Sequence, residues 1–227
     1  METVHYESYQ EKDKMLLKVL DDNGNVTDLE ATKQEVHEKH LWHQEVAIFI
    51  INNEGKILLQ KRSNNVHYNN GKYGMIANHV GANQSLVDAI LQKAREEIGY
   101  EINPNDIRYL TMLKRKEERE QRFTYFYYIK TNIKDEDIKL NTYLAIEKKW
   151  FDFYELQELM LTNSEEVVFK ATPAYINIFG ELSKIIKHNN TIHKNSKKEF
   201  IILNTSDGCF LPGLIQKSEK ETKSIII

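Results

Sequence analysis

The sequence predicts an α+β domain, and three features carry that prediction. Val46 to Ile51 and Phe123 to Ile129 are short runs of β-branched and aromatic residues, of the length and composition of half-buried strands. Two segments, beginning near Leu86 and near Pro173, carry apolar residues at helical spacing behind recognisable start signals. Strands and helices do not alternate regularly, so a doubly wound parallel sheet is not expected and a layered α+β arrangement is.

The elements follow in order. MLLKVL is apolar and is succeeded by Asp22-Asn23-Gly24-Asn25, a tight-turn signal between two short strands. ATKQEVHEKHLWH is helix-like or irregular and brings in His37, His40 and His43. EVAIFIINNEGKILLQKRS is the clearest hairpin, turning at Asn52-Asn53-Glu54-Gly55. An Asn/Gly-rich loop, NNVHYNNGKYG, leads through MIANHV into the first amphipathic helix. Pro104 breaks the chain, and RYLTMLKRKEEREQRFTYFYYIKT then forms two strands around KRKEERE, read as a solvated hairpin turn. The aromatic run of its second strand needs no cofactor to explain it. IEKKWFDF is a further strand, YELQELMLT a helix, and TPAYINIFGELSKIIK a longer helix with Pro173 in its first turn.

Composition bounds the function. The chain has 227 residues, 41% hydrophobic and 29% charged, with a net charge of -3, an ordinary globular balance with no general push toward nucleic acid or anionic membrane. Cys209 is the single cysteine, which excludes a disulfide framework and a cysteine-rich zinc site. The polar start, METVHYESYQEKDK, has no signal-peptide pattern, and no apolar run is long enough to span a bilayer. The expectation is a cytoplasmic protein. From His188 the composition turns polar and Asn/Lys-rich, so a domain over 1–187 is expected to be followed by a linker and tail over 188–227, with FIILN, DGCFLPGLI and KSEKETKSIII able to add a strand or two. An exposed strand edge, or the apolar end Ile225-Ile226-Ile227, would offer a homodimer contact.

The chemistry concentrates in residues 78–100, NHVGANQSLVDAILQKAREEIGY. Ser85 and Asp88 make a capping box that starts a helix near Leu86, and Gly99 suits its C-terminal end. Leu86, Ala89, Ile90 and Ala94 form the core stripe, flanked by Val87, Leu91 and Ile98. Lys93, Glu96 and Glu97, spaced i, i+3, i+4, project to neighbouring positions on one face. Three carboxylates at those positions would offer hard oxygens to Mg²⁺; two carboxylates and a lysine occupy them.

The stretch resembles the Nudix box: Gly, five residues, Glu, seven residues, then Arg-Glu-U-x-Glu-Glu-x-Gly-U, with U aliphatic. In ungapped register Glu96, Glu97 and Gly99 match, while Asn78 stands for the first Gly, Gln84 for the first Glu, Gln92 for the Arg and Lys93 for the Glu after it. HLWHQEVAIFIINNEGKILLQKRS and GKYGMIANHVGANQS are similar to the corresponding stretches of the branch related to isopentenyl-diphosphate isomerase, and Glu147 ahead of Trp150 matches a recurrent acidic position. The resemblance spans roughly residues 15 to 165. It implies a Nudix-type α/β/α sandwich with a mixed sheet, a C-terminal extension beyond it, and Mg²⁺- or Mn²⁺-assisted hydrolysis of a diphosphate linkage in a small nucleoside-diphosphate-type metabolite.

Carried over residue by residue, Glu96 and Glu97 keep the capacity to ligate metal. Lys93 opposes it, because an ammonium repels Mg²⁺ and can pair with Glu96 or Glu97 instead. Gln92 lacks the bidentate donor of the family's Arg, and Gln84 keeps shape without charge. Lys61 and Arg62 are candidate phosphate contacts, with Glu147 near the substrate; a charged loop edge is the plain alternative. His37, His43 and His79 resemble histidines that hold metal in the isomerase relatives, and would bind Zn²⁺ or Mn²⁺ if they converge. The isomerases' cysteine has no counterpart in MIANHV. Three functions therefore stand: a hydrolase with weak or lost activity, a silent binding module, and an isomerase-like metal enzyme.

Overall fold

The computed structural model describes residues 14–66, 68–116 and 120–187, together with the backbone of 198–204, 210–217 and 223–226. The sequence-based expectations for Cys209 and for Ile225-Ile226-Ile227 as an interface lie outside the described side chains. The backbone gathers into two compact units, one of Met1–Ile48, Ile76–Glu96 and Glu101–Tyr127, the other of Phe49–Met75, Glu97–Tyr100 and Tyr128–Ile227.

In the first unit, β1 (Leu16–Leu20) and β2 (Val26–Thr32) pair antiparallel across the expected turn. Gly24 takes φ +87 there, and a Cβ would stand 3.1 Å from the Phe123 ring, so the position favours glycine on two counts. Thr32 then caps α1 (Lys33–Glu38) with a reciprocal capping box: its hydroxyl accepts from the Glu35 N–H, and the Glu35 carboxylate accepts from the Thr32 N–H. His40, at φ +53, turns the chain toward β3 (Trp42–Asn52). β1 meets β3 at Leu20↔Trp42, and β6 (Ile76–His79) runs antiparallel to β3 with Glu45 opposite His79 and Ile48 opposite Ile76. β7 (Arg108–Lys116) pairs with β8 (Gln121–Thr131), which pairs with β3. Leu17, Val19, Ala31 and Val36 make one buried cluster; Leu20, Trp42 and Phe123 make another.

The helix predicted from Leu86 is α2 (Leu86–Ile98). Its capping box is formed, with the Asp88 N–H donating to Ser85 Oγ at 3.0 Å and the Ser85 N–H donating to Asp88 Oδ2 at 3.3 Å. Of the expected core stripe Ala89, Ile90 and Ala94 are buried, with the flanking Ile98, whereas Leu86 in the first turn is only half-buried.

The second unit is built on β4 (Ile57–Arg62), which pairs antiparallel with β3 (Ile51↔Ile57), β5 (Tyr73–Gly74) and β9 (Ala145–Phe151). A parallel bridge, Tyr73↔Val167, makes the strand set mixed. α3 (Phe153–Leu161) and α4 (Pro173–Lys187) contribute Phe153 and Phe179, which pack with Phe169 in a fully buried aromatic cluster. Each such side chain contributes about 1.5–3 kcal/mol of burial. The tail forms a three-stranded antiparallel sheet, β10 (Lys198–Asn204), β11 (Phe210–Lys217) and β12 (Lys223–Ile226). The last carbonyls of α2 are closed by a neighbouring segment: the Lys139 N–H donates to the Ile98 oxygen at 2.8 Å and the Asn141 N–H to the Glu97 oxygen at 2.9 Å.

Gly99 has φ +61, and a Cβ there would meet the Lys139 backbone oxygen at 3.2 Å. Gly99→Ala is expected to cost about 1–2 kcal/mol through the left-handed backbone alone, read as a shift in denaturant midpoint at constant slope. The Lys39 ammonium, and after it the Thr32 N–H and hydroxyl, hold the Glu35 carboxyl at about 2, against 4.5 ordinarily. A depressed carboxylate contributes stability above its unfolded value that is lost as pH falls through the folded one. The advantage of the protein over Glu35→Gln should therefore be constant near neutrality and vanish between pH 4.5 and about 2, followed by thermal melts.

Candidate metal and box sites

Two groupings of side chains in the first unit carry chemistry. The first is on the opening face of β3. Strand alternation puts His43 and Glu45 on one face, and the Glu45↔His79 pairing places His79 beside them. α1 supplies His37. The three imidazoles converge: ring centroids are 5.1–5.3 Å apart and one ligand nitrogen from each lies within 4.8 Å of the others. Histidines 36 residues apart in the chain could not be known to meet from spacing alone.

The tautomer of His43 follows from its neighbour. His43 Nδ1 lies 3.0 Å from the Leu41 carbonyl oxygen, which can only accept, so Nδ1 carries the proton and Nε2 the lone pair. His43 Nε2 and His79 Nε2 are both buried without a hydrogen-bond partner in the protein. Burial pushes His43 below the usual imidazole value, opposed in part by the Leu41 carbonyl, and pushes His79 well below it. Neutral rings with unsatisfied, inward nitrogens fit a divalent transition metal and are otherwise costly to bury.

The second grouping is the box helix. The Gly81 N–H donates to Gln84 Oε1 at 3.0 Å, in space that a side chain at 81 would fill. Gln84 Nε2 donates to Gln92 Oε1, and Gln92 Nε2 donates to Glu96 Oε1 at 2.8 Å. Lys93 Nζ lies 3.9 Å from Glu96 Oε2, with side chains only 13% and 26% exposed. Gln84 and Gln92 thus form a directed chain of two amides ending on the Glu96 carboxylate, which Lys93 ion-pairs. Asn78 ties β6 to this helix through Nδ2, which donates to the Ala89 oxygen at 3.3 Å.

In the second unit Glu97 is buried and accepts a hydrogen bond from Gln60 Nε2, and Gln60 is buried too. Lys61 pairs with Glu147 across the β4–β9 ladder at 3.8 Å and lies over the Tyr73 ring. Burial pushes the Tyr73 hydroxyl up, with the Glu147 carboxylate adding to it. Arg62 is turned to the loop after β4, where Nε donates to the Tyr68 oxygen at 2.9 Å.

Sequence reasoning missed several of these residues. Gln60 was hidden in the apolar run ILLQ, where a lone glutamine gives little signal. Glu120, within KRKEERE, is partly buried and 3.9 Å from His37 Nδ1, and Lys114 of the same run lies over Trp42 and pairs with Asp22. The described ends of the run therefore do more than a solvated turn would, because they belong to β7 and to the approach of β8, while its middle, 117–119, lies outside the described residues.

The NUDIX domain model matches residues 41–172, more than half of the chain, and the protein belongs to the Nudix family. Among solved structures it is similar to DR0079 from Deinococcus radiodurans, at 16% identity over 77% of this chain and 99% of that one, with a TM-score of 0.57. It is also similar to a MutT protein from Methanosarcina mazei Go1, at 23% identity over 64% and 96% of the two chains, with a TM-score of 0.50. These likenesses place the mixed sheet and its helices in the Nudix α/β/α sandwich fold. No curated protein matches the sequence. No helix among the described residues is long and apolar enough to cross a membrane.

The box geometry yields a direct expectation. Millimolar Mg²⁺ should leave the melting temperature of Lys93→Glu higher than in chelator, because a new carboxylate one turn from Glu96 repels it until a cation bridges them. The parent protein, whose Glu96 already has an ammonium and an amide, should show no such gain.

Proposed function

We propose that this Nudix-family protein acts on a small nucleoside-diphosphate-type metabolite with a divalent metal held by His37, His43 and His79 rather than by the box carboxylates. The observation that carries this reading is the convergence of the three imidazoles, two of them presenting buried Nε2 atoms without protein partners. Such an ion would polarise a phosphate oxygen and lower the pKa of a bound water. The chain's own part is to keep His43 and His79 toward the neutral form by burial, with the Leu41 carbonyl fixing the tautomer that leaves the lone pair on His43 Nε2. In the second unit, Lys61 and Arg62 are proposed separately as phosphate contacts, Lys61 exchanging its partly exposed pairing with Glu147 for the ligand. Glu96 and Glu97 then serve as internal acceptors of the helix and strand amides. Ala77 and its neighbours supply no cysteine, which weighs against isomerase chemistry. A cytoplasmic setting accompanies this reading.

A second reading, a silent module that binds such a metabolite without turning it over, is favoured by the pairing of Lys93 with Glu96. Metal analysis and a screen of nucleoside diphosphate derivatives with Mg²⁺, Mn²⁺ and Zn²⁺ separate the two. The proposal expects one Zn²⁺ or Mn²⁺ per chain, lost in His43→Ala and His79→Ala but kept in Glu96→Gln, with turnover following metal content. Binding of a derivative without turnover under all three metals would favour the silent module. A protein that takes up no metal would end the proposal.

A further inference from the structure

Beside the three histidines lies a row of charge that neither reading has used. Thr124 Oγ1 donates to Glu45 Oε2 at 3.0 Å, and the same carboxylate oxygen lies 2.9 Å from Arg122 Nε. Arg122 Nη1 donates to Glu120 Oε2, while the other Glu120 oxygen, Oε1, faces His37 Nδ1 at 3.9 Å. The side chains of Arg122 and Glu45 are only 14% and 13% exposed, and that of Glu120 is 21% exposed. A charge row this sheltered from water is costly to maintain unless it is well paired, and its open end points at a histidine.

We propose that Glu120 is a positioning residue for the metal centre: held by Arg122, it takes the Nδ1 proton of His37 as a hydrogen-bond acceptor, so that His37 presents Nε2 to the metal. This rests on the histidine centre proposed above. The physical logic is that of a histidine ligand, whose second ring nitrogen must be given an acceptor if the first is to keep its lone pair. His43 has that acceptor in the Leu41 carbonyl. For His37, on the short helix α1 rather than on the sheet, the facing group is the Glu120 carboxylate, 3.9 Å from Nδ1 and one residue ahead of β8. The sheet supplies the rigidity: Arg122 and Thr124 sit on one face of β8 by strand alternation, and both contact Glu45, which is opposite His79 across the β3–β6 ladder. One carboxylate, Glu45, thus ties the positions of Arg122 and His79 together, and Arg122 transmits that order to Glu120 and His37. Arg122 bridges two carboxylates and is not offered as an anion site.

The test is the affinity of the full chain for Zn²⁺, by competition with a chromophoric chelator, with Co²⁺ absorption as a probe of the coordination shell and thermal melts as a fold control. Glu120→Leu should bind Zn²⁺ about 10–100-fold more weakly. Glu120→Gln, whose amide oxygen still accepts from Nδ1–H, should recover most of the affinity with an unchanged Co²⁺ spectrum. Arg122→Met should lose about tenfold, and Arg122→Lys should regain part of it. Should Glu120→Leu fold and bind as tightly as the parent, the positioning role is overturned. If Glu120→Gln is as weak as Glu120→Leu and shifts the Co²⁺ spectrum, Glu120 is a direct ligand and the proposal is equally overturned. A parent protein that binds neither ion overturns the centre itself, which is a different result from either of these.

Discussion

The antiparallel pairing of β3 with β6 is the constraint on which the candidate chemistry depends. It sets Glu45 opposite His79, and because side chains alternate along a strand, it places His43, Glu45 and His79 on one face. A slip of one residue would send His79 to the opposite face and put Asn78 or Val80 in its place. The register is held by what surrounds it: Ile48 pairs with Ile76 farther along the ladder, the Val80 N–H donates to the Gln44 oxygen at 3.1 Å just beyond its end, and the loop that follows is tied back by the Gly81–Gln84 hydrogen bond. The same segment then enters the capping box of α2, so one short strand aligns both the histidine cluster and the box helix.

That helix shows how packing and polar chemistry can be independent on one element. Cap, buried stripe and C-terminal glycine are all present, and each is a packing or backbone requirement indifferent to metal. The polar positions form a separate network. An amide stands at Gln84 and another at Gln92, and the two join in series; Lys93 supplies within the chain the positive charge that a bound cation would bring. The result is a polar network satisfied without added ions, consistent with the general rule that half-satisfied buried networks are costly. The histidine cluster is the converse case: His43 Nε2 and His79 Nε2 are buried there without a hydrogen-bond partner among the described residues.

Glu97 illustrates a third situation. Buried at the end of α2, it is met by the amide of Gln60 from the middle of β4, a residue whose neighbours in sequence are all apolar on one side and cationic on the other. A carboxylate in such a place needs a donor, and a neutral amide supplies one without adding charge. Glu96 thus meets a lysine and an amide of its own helix, and Glu97 an amide from a strand.

By itself, the sequence determined the elements with strong local causes. The β3–β4 hairpin, the span of α2 from its capping box to Gly99, the proline-initiated α4 and the α+β class all follow from periodicity, caps and turn residues that act over a few positions. The family was legible too, because the box and its flanks are local strings. The convergence of His37, His43 and His79, the partnership of Gln60 with Glu97, and the row from Thr124 to Glu120 were decided only by tertiary structure. Each joins residues from different strands and helices, and such meetings depend on sheet register and on which face a side chain takes, quantities that no spacing along the chain specifies. Glu120 is the clearest instance: as part of KRKEERE it is one charge among many, and only the pairing of β8 makes it the neighbour of a histidine.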